Sequence, residues 1–356
     1  MGTRHHWGQR LLCLLLTLTT LFSLTALSFS GASAKSSPAY SVMFLAPVRD
    51  RRGNFGYQRY LKQENRSAVQ IPLTQDYSAA GAFGKNGLAP VRSTTHGRWG
   101  FIDRNGKYVI QPQFLNAYAF ESNGLAVVQD AATEKWGYIN ANGKWVIAPK
   151  YKAAYSFSDD RALVLDTWDY YFINAKGQKV LDLDKFINYD TPSFCGGYFC
   201  VRNDKGAGFF DVNGKIIVNP DENSPYTFID VFRYSGVRLV ALAKDRYGRY
   251  GYIDATGKWF IQPSRDLEGA GRFASNGLAP CQSGPTYGYI DTQYDSRSTS
   301  ARFRIKPQFK NAREFTASGA AAVQSTKGTW GFINAKGQEV VPFSYSWVGD
   351  FDMVNY

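Results

Sequence analysis

Aspartates at a fixed place in recurring segments are the residues of this chain with the clearest capacity for chemistry. A pair of carboxylates can hydrolyse a glycosidic bond, one as acid and the other as base or nucleophile. Sister segments carry asparagine at the same place, as at Asn140, and an amide cannot transfer a proton. Both side chains can accept backbone N–H bonds at the start of a turn. We interpret the aspartates as turn caps, with a carboxylate-dependent carbohydrate-active enzyme as the alternative; they are Asp103, Asp211, Asp254 and Asp291.

Histidine and metal chemistry lack the residues that they need. His96 is the one histidine beyond residue 34, whereas a catalytic triad places a histidine beside a nucleophile and a carboxylate. A zinc site needs several Cys or His ligands at suitable spacing. The segment 103–106 has one carboxylate but not the later acidic ligands of an EF-hand loop. We therefore expect no catalytic residue, no bound metal and no cofactor.

Three cysteines, Cys195, Cys200 and Cys281, follow the first 34 residues. In an oxidising compartment, Cys195 and Cys200 can pair across the Gly196-Gly197 bend and leave Cys281 odd. All three can equally be small buried apolar residues. The sequence leaves both interpretations open.

Tryptophans offer the best chemistry for binding, because an indole ring can stack on a sugar or anchor a partner protein. Trp145 and Trp259 each follow a turn lysine, at a position where other copies have Tyr108 or Ile216. Such a tolerant position places weaker demands on core packing. Trp168 lies in a charged turn outside the pattern. These three rings are our predicted binding residues, although core or half-buried edge positions are an equally good interpretation of Trp145 and Trp259.

Basic residues outnumber acidic ones, and the net charge is +12. The excess is dispersed, which is typical of a solvated basic surface, but it can also meet an acidic polysaccharide, lipid headgroups or an acidic protein. Nucleic acid is a poor candidate for an exported chain that has no recognition motif. The densest points are Arg49, Arg51 and Arg52 near the start and Arg302, Arg304 and Lys306 in a late loop, from which Arg302 and Arg304 are predicted binding residues.

One short unit recurs every 34–44 residues and must position all these side chains. Its fullest copy reads Trp136-Gly137-Tyr-Ile-Asn, then an Asn-Gly turn, a Trp-Val-Ile run and a proline. The position of the glycine after the aromatic residue marks eight copies, at 56, 100, 137, 171, 208, 251, 288 and 331. The repeat residues that we assign to architecture are Trp99, Gly100, Trp136, Gly137, Gly251, Gly288, Trp330 and Gly331.

Each unit predicts a β-hairpin followed by a further strand. Aromatic and β-branched residues flank a turn that opens on Asp or Asn and closes on Gly, which is typical of a type I turn with a bulge. Proline ends the second strand because it cannot donate to a ladder. A later Gly-Leu-Ala-Val strand, as at 124–127, is expected to pair back onto the Trp-Gly strand. The glycine after Trp indicates a close backbone approach.

The two ends of the repeat region are offset by one strand. Residues 45–49 resemble 88–92, so the region opens on the strand that elsewhere closes a unit, whereas the last unit, 330–356, stops before its own copy. A closed ring uses this offset, with the first strand completing the last unit, and propellers of four to eight blades fall in this range. We predict an all-β, eight-fold, propeller-like ring, with an open β-solenoid as the alternative.

The first 34 residues resemble an export signal. Arg4 and Arg10 precede an apolar run from Leu11 to Leu27, and a short polar stretch ends at Ala32-Ser33-Ala34. Small residues at this place suit signal peptidase, so we expect cleavage after Ala34. A retained anchor is the alternative, because nothing from Leu11 to Ala34 is charged. No later segment has transmembrane length.

Over residues 44–356 the chain resembles the bacterial WG-repeat (KWG-repeat) family, on the strength of its Trp-Gly, turn and proline positions in register. The resemblance implies a repetitive β architecture in surface or secreted proteins, an interaction or scaffold role, and no shared catalytic activity. The chain departs from this pattern at Tyr170-Tyr171, where the glycine is missing, and at Ala207, where the tryptophan is missing.

Together these features predict a signal peptide at 1–34, a linker at 35–43 and one repeat domain at 44–356. The predicted protein is extracytoplasmic, whether periplasmic, cell-surface or secreted. We expect a non-catalytic scaffold that binds an envelope protein or polysaccharide and does not bind nucleic acid.

Overall fold

The computed structural model describes residues 43–354 except 63, 65, 184–192, 237, 268 and 295–302. These residues belong to one compact unit, Ser41–Tyr356, and fold into eight antiparallel sheets. The sheets are the blades of a ring, so the protein is an eight-bladed β-propeller, as the repeat predicted. Among the described residues, no helix is long and apolar enough to cross a membrane.

Most blades follow one strand order, in which a short inner strand is followed by the Ala-Val strand, the Trp-Gly strand and an outer strand. Blade 1 joins both ends of the domain and contains β1 (Met43–Arg49), β2 (Phe55–Leu61), β3 (Arg66–Thr74), β32 (Trp347–Val348) and β33 (Asp352–Val354). Blade 2 contains β4 (Tyr77–Ala80), β5 (Ala89–Ser93), β6 (Trp99–Ile102) and β7 (Tyr108–Phe114). Blade 3 contains β8 (Asn116–Ala117), β9 (Ala126–Gln129), β10 (Trp136–Ile139) and β11 (Trp145–Tyr151), and blade 4 contains β12 (Ala153–Ala154), β13 (Ala162–Leu165), β14 (Tyr170–Ile173) and β15 (Lys179–Asp182).

The second half of the ring repeats this order with local variation. Blade 5 contains β16 (Ser193–Cys195), β17 (Tyr198–Arg202), β18 (Ala207–Asp211) and β19 (Ile216–Val218). Blade 6 contains β20 (Tyr226–Ile229), β21 (Arg233–Ser235), β22 (Arg238–Asp245), β23 (Tyr250–Asp254) and β24 (Trp259–Ser264). Blade 7 contains a 3₁₀ turn (Arg265–Leu267), β25 (Leu278–Ser283), β26 (Thr286–Asp291) and β27 (Ile305–Phe309), and blade 8 contains β28 (Asn311–Phe315), β29 (Ala320–Gln324), β30 (Trp330–Asn334) and β31 (Glu339–Tyr345).

Ring closure confirms the offset in the sequence. β1 pairs with β32 and β33 of the last unit, and it also pairs with β2 along its whole length, so it belongs to both ends of the repeat. The predicted pairing inside each unit was wrong in one respect. The Ala-Val strand β9 pairs forward with β10 of the next unit rather than back onto β6. The tight turn at 130–135 joins β9 and β10 as a hairpin, which keeps these two strands adjacent.

Turn capping holds the hairpins at the repeated Asp or Asn. In the turn after β6, Asp103 Oδ1 accepts the backbone N–H groups of Asn105 (2.8 Å) and Lys107 (3.0 Å). Gly106 closes the turn at φ +81°, a left-handed conformation that glycine adopts at no steric cost. Carboxylate and amide are interchangeable here, because both accept the same two backbone N–H bonds. The other residues that accept them are Asn140, Asn174, Asp211, Asp254 and Asn334.

The glycine after the first aromatic residue is required by a bulge in the outer strand. In blade 3, Trp136 pairs with Tyr151 and Tyr138 with Ile147, so three residues of β10 face five of β11. The extra backbone folds over Gly137, where a Cβ would lie 2.6 Å from the Ile147 carbonyl oxygen. Equivalent register shifts occur in the blades of Gly56, Gly100, Gly251, Gly288 and Gly331, which confirms the predicted close approach.

The aromatic residue after this glycine joins each blade to the next. The ring of Tyr138 lies 4.9 Å from Phe157 of blade 4, and its hydroxyl donates to the Tyr155 carbonyl (2.9 Å). Tyr57, Tyr252 and Tyr289 make the same two contacts with the following blade. In the remaining blades phenylalanine takes this place and keeps the ring contact alone, at Phe101, Phe172, Phe209 and Phe332.

Candidate functional site

The repeat tryptophans and glycines lie within the architecture just described. Trp99 and Trp136 are half-buried on their strands, and Trp330 is buried beneath the guanidinium of Arg313, 4.8 Å from the ring centre. Gly100, Gly137, Gly251, Gly288 and Gly331 all lie beneath an outer strand, where a side chain would collide with backbone.

Trp145 and Trp259 cover two of these glycines. A Cβ built on Gly137 would lie 2.8 Å from the ring of Trp145, which also meets Phe114 of blade 2 edge-on at 5.9 Å. Trp259 covers Gly251 in the same way and meets Tyr226 at 5.1 Å. Trp145 therefore packs between blades 2 and 3, whereas the contact of Trp259 with Tyr226 lies within blade 6. Trp145 keeps 38% of its surface exposed, so one edge remains available to a ligand.

Trp168 stands apart from the packing, with 82% of its surface exposed. It lies in the turn between β13 and β14 of blade 4. The ammonium of Lys152 lies 4.5 Å from the ring centre and also donates to the Thr167 carbonyl (2.7 Å). This double contact holds the cation against one side of the indole and positions the ring relative to the turn.

A second aromatic ring enters this region because blade 4 lacks the repeat glycine. Tyr171 occupies that position, and β14 pairs with β15 continuously from Tyr171 to Phe172, without the bulge of the other blades. A side chain fits because no extra backbone folds over it. The half-buried ring of Tyr171 lies 6.4 Å from Tyr151, and the Lys179 ammonium lies 4.8 Å above it.

Trp168 and Tyr171, with Lys152 and Lys179, form what we call the lysine-aromatic platform, and the buried ring of Tyr151 packs against Tyr171 from the core side. The ammonium of Lys150 lies 5.1 Å from the Tyr151 ring. Burial raises the pKa of Tyr151 to about 12, and its buried hydroxyl has no hydrogen-bond partner among the described residues.

Carboxylates alternate with the lysines of the platform. Bonds from Thr167 lower the pKa of Asp166, whose Oδ2 also lies 3.4 Å from the Tyr171 hydroxyl. Asp182 pairs with Lys179 at 2.5 Å. The platform therefore presents flat rings bordered by both hydrogen-bond donors and acceptors. This arrangement suits a ligand with many hydroxyl groups better than a uniformly charged one.

The predicted basic residues are not brought to this platform. Arg302 lies outside the described residues. Arg304 leads into β27 of blade 7, with 70% of its side chain exposed and its Nε 3.8 Å from Asp291.

Sequence reasoning missed Tyr247, which is 84% exposed in the turn of blade 6 that corresponds to the Trp168 turn. The guanidinium of Arg249 lies 5.1 Å from its ring and pairs with Asp245 at 2.6 Å. Sequence reasoning also missed Lys150, Lys152 and Tyr171, although the absent glycine signalled that this unit is different.

The cysteines form no metal site in the described part of the chain. Cys200 and Cys281 are buried, and the Cys200 thiol donates to the Asp230 carbonyl (3.1 Å). Burial raises the pKa of Cys281 to about 12. The side chain of Cys195 lies outside the described residues. No group of three or more His, Cys, Asp and Glu in the described ranges could hold a metal ion.

Comparison with known proteins supports the repeat and the fold. A family model described as the WG containing repeat matches residues 99–130, 136–165, 250–282 and 330–352. No curated protein sequence matches the chain.

Solved structures share the architecture at low identity. A eukaryotic initiation factor matches with a TM-score of 0.51 and 11% identity, over 84% of this chain and 83% of that one. AztD from Citrobacter koseri matches with a TM-score of 0.49 and 12% identity, over 88% and 97%. BamB from Moraxella catarrhalis matches with a TM-score of 0.43 and 12% identity, over 82% and 93%. At 11% identity, the match to the initiation factor speaks for the fold alone.

Proposed function

From the premise that this chain is a WG-repeat protein folded as an eight-bladed β-propeller, we propose that it is an exported, non-catalytic scaffold that binds an envelope polysaccharide at the lysine-aromatic platform. The observation that carries the proposal is the exposed ring of Trp168, held against Lys152, in the turn that leads to the half-buried Tyr171. Isolated exposed apolar residues are ordinary, but a large ring that a cation holds in a turn is preorganised for contact with a ligand.

The chemistry of the platform favours a sugar polymer over a protein. A sugar ring offers an apolar C–H face that stacks on an indole, and its hydroxyls both donate and accept hydrogen bonds. Lys152 and Asp166 border the rings with groups for both roles. A protein-binding core usually joins several apolar side chains in one patch that lacks charge, whereas charges separate the rings here.

A non-catalytic role follows from the use of the repeated carboxylates. The capping residues, such as Asp103 and Asp254, already accept two backbone hydrogen bonds each in their turns. A glycosidase needs two carboxyl groups facing one bond at about 5–9.5 Å. We therefore assign the repeated carboxylates to the turns, which supports binding rather than hydrolysis at the platform.

Export is the second half of the proposal and has its own test. Expression in a bacterial host followed by cell fractionation should recover the protein outside the cytoplasm, with a mature N-terminus at Lys35. An intact Met1 terminus in a cytoplasmic fraction would refute export without touching the binding claim.

A glycan array followed by titration calorimetry tests the binding claim. We expect the mature protein to bind a subset of polysaccharides, and Trp168→Ala to weaken that binding about tenfold, equivalent to about 1.4 kcal/mol. Tyr118→Ala is the matched control, because Tyr118 is 54% exposed on blade 3, away from the platform. Capture of an envelope protein that depends on Trp168, without glycan binding, would replace the polysaccharide by a protein partner.

A further inference from the structure

A cavity of about 490 Å³ lies where the loops that join the inner strands to the Ala-Val strands converge. Blades 4 to 8 and blade 1 all contribute to its wall. Asp159 of this wall precedes β13, whereas Trp168 follows it, so the cavity and the platform lie at opposite ends of that strand. This volume is in the range of small-ligand sites. The charged side chains of the wall are Asp159, Arg233, Glu314 and Asp350.

The charges in this wall come from residues that break the repeat. In blades 2 and 3, alanine precedes the loop phenylalanine, at Ala82 and Ala119. Three successive blades carry Arg272, Glu314 and Asp350 at that place. Packing does not require these charges, because the neutral blades close in the same way.

In one ion pair beside the cavity, the two side chains compensate each other's charge. Arg272 makes two bonds to Asp230, from Nε (2.7 Å) and from Nη2 (2.8 Å). Its distance to Glu314 is longer, 3.9 Å. Arg272 and Asp230 therefore brace blades 6 and 7. Glu314 keeps the longer contact with Arg272, a backbone N–H bond from the same residue and the charge of Arg233, which together do not offset its burial.

Asp350 is weakly compensated as well. Its closest cation is Arg313 at 3.7 Å, which donates instead to the Val348 carbonyl (2.8 Å). The Oδ1 atom of Asp350 is buried without a hydrogen-bond partner. Burial raises the pKa of both Asp350 and Glu314, as expected for carboxylates that lack a full complement of positive charge.

The opposite edge of the cavity is strained. Asp159 and Asp160 both have positive φ, +46° and +60°, which is unusual outside glycine. The backbone N–H of Gly197 in blade 5 holds the Asp159 carboxylate at 3.1 Å. Arg233 is exposed at the rim and supplies the one positive charge of the described wall.

We propose that this cavity binds a small cationic zwitterion of the diamino-acid class, with the ligand carboxylate on Arg233 and its ammonium groups on Glu314 and Asp350. A guanidinium binds a carboxylate through two parallel bonds, and each ammonium supplies donors that the carboxylates lack. Three carboxylates against one guanidinium favour a ligand with more ammonium than carboxylate groups. The site is independent of the polysaccharide platform.

Calorimetry with four related probes tests each half of this assignment. L-lysine carries all three groups, cadaverine lacks the carboxylate, and norleucine and 6-aminohexanoate each lack one amine. We expect lysine to bind the mature protein at least about tenfold more tightly than any of the other three. Equal binding of lysine and cadaverine would refute the role of Arg233, and no binding of lysine at about 5 mM would refute the site.

Variants locate the binding. Glu314→Gln and Asp350→Asn should each lower the affinity for lysine at least about tenfold. Glu339→Gln is the control, since it removes the same charge from an exposed position on β31. Lysine binding that survives both cavity variants would place the ligand elsewhere and overturn the proposal. Trp168→Ala should leave lysine binding unchanged, so failure of the platform and failure of the cavity are distinguishable.

Discussion

Blades 3 and 4 are neighbours with the same strand order, yet they treat one position in opposite ways. Blade 3 keeps Gly137 beneath a bulge that contains Pro149, whereas blade 4 has Tyr171 and pairs in register from Tyr171 to Phe172, with a shift only before Ile173. The bulge and the glycine depend on each other, since extra backbone can fold only over a residue without a side chain. When both are lost, as in blade 4, the blade still forms, and the half-buried ring of Tyr171 occupies the position of the glycine.

Substitution of the glycine should produce the largest effect. Gly137→Val places a side chain against the Ile147 carbonyl, and we expect a loss of about 3 kcal/mol in the free energy of unfolding. Tyr171→Val in blade 4 should cost far less. Chemical denaturation of the two variants checks this contrast, and equal losses would show that the bulge does not explain the glycine.

Removal of an inter-blade hydroxyl should have a smaller effect. Tyr252→Phe deletes the bond to the Gly271 carbonyl (2.7 Å) but keeps the contact with Phe273, so we expect a loss of about 1–2 kcal/mol. Tyr118→Phe, at an exposed ring, is the control. Phenylalanine occurs naturally at this place in blade 8. A loss of the whole fold would therefore contradict the limited role that we assign to the inter-blade hydroxyl.

The cavity carboxylates should affect stability in a pH-dependent way. Raised pKa values in the folded state mean that the protonated forms of Glu314 and Asp350 favour folding below their ordinary pKa, and that this contribution disappears as pH rises through the raised values. The double variant Glu314→Gln, Asp350→Asn should therefore melt about 1–2 °C above wild type at pH 7 and equal it near pH 3. A lower melting temperature at pH 7 would mean that the charges serve stability instead.

The sequence predicted the fold well because the same residue types recur at the same positions of each unit. Trp-Gly, the capped turn and the proline recur in register, and the offset of residues 45–49 predicted ring closure. The direction of strand pairing was mistaken, since one unit in isolation does not show which neighbour its Ala-Val strand meets.

The functional surface was harder to predict, because it depends on relations between blades. Trp145 is partly exposed, but its ring also covers Gly137. The sequence could not show this contact, because it depends on the bulge in the outer strand. Glu314 and Asp350 line one cavity only because successive blades bring the same loop to one end of the ring. Trp168 lies outside the repeat pattern in the sequence and is exposed in the structure, whereas its contact with Lys152 could be recognised only once the turn was placed.

The smallest expected effect on stability belongs to the residue with the largest expected effect on binding. Trp168→Ala removes a ring that is 82% exposed, so the free energy of unfolding should change by less than about 0.5 kcal/mol. Calorimetric titration of this variant with the polysaccharide that wild type binds tests the central claim most directly. We predict an affinity about tenfold lower than that of wild type and of Tyr118→Ala; an affinity equal to wild type would contradict the claim that blade 4 carries the binding site.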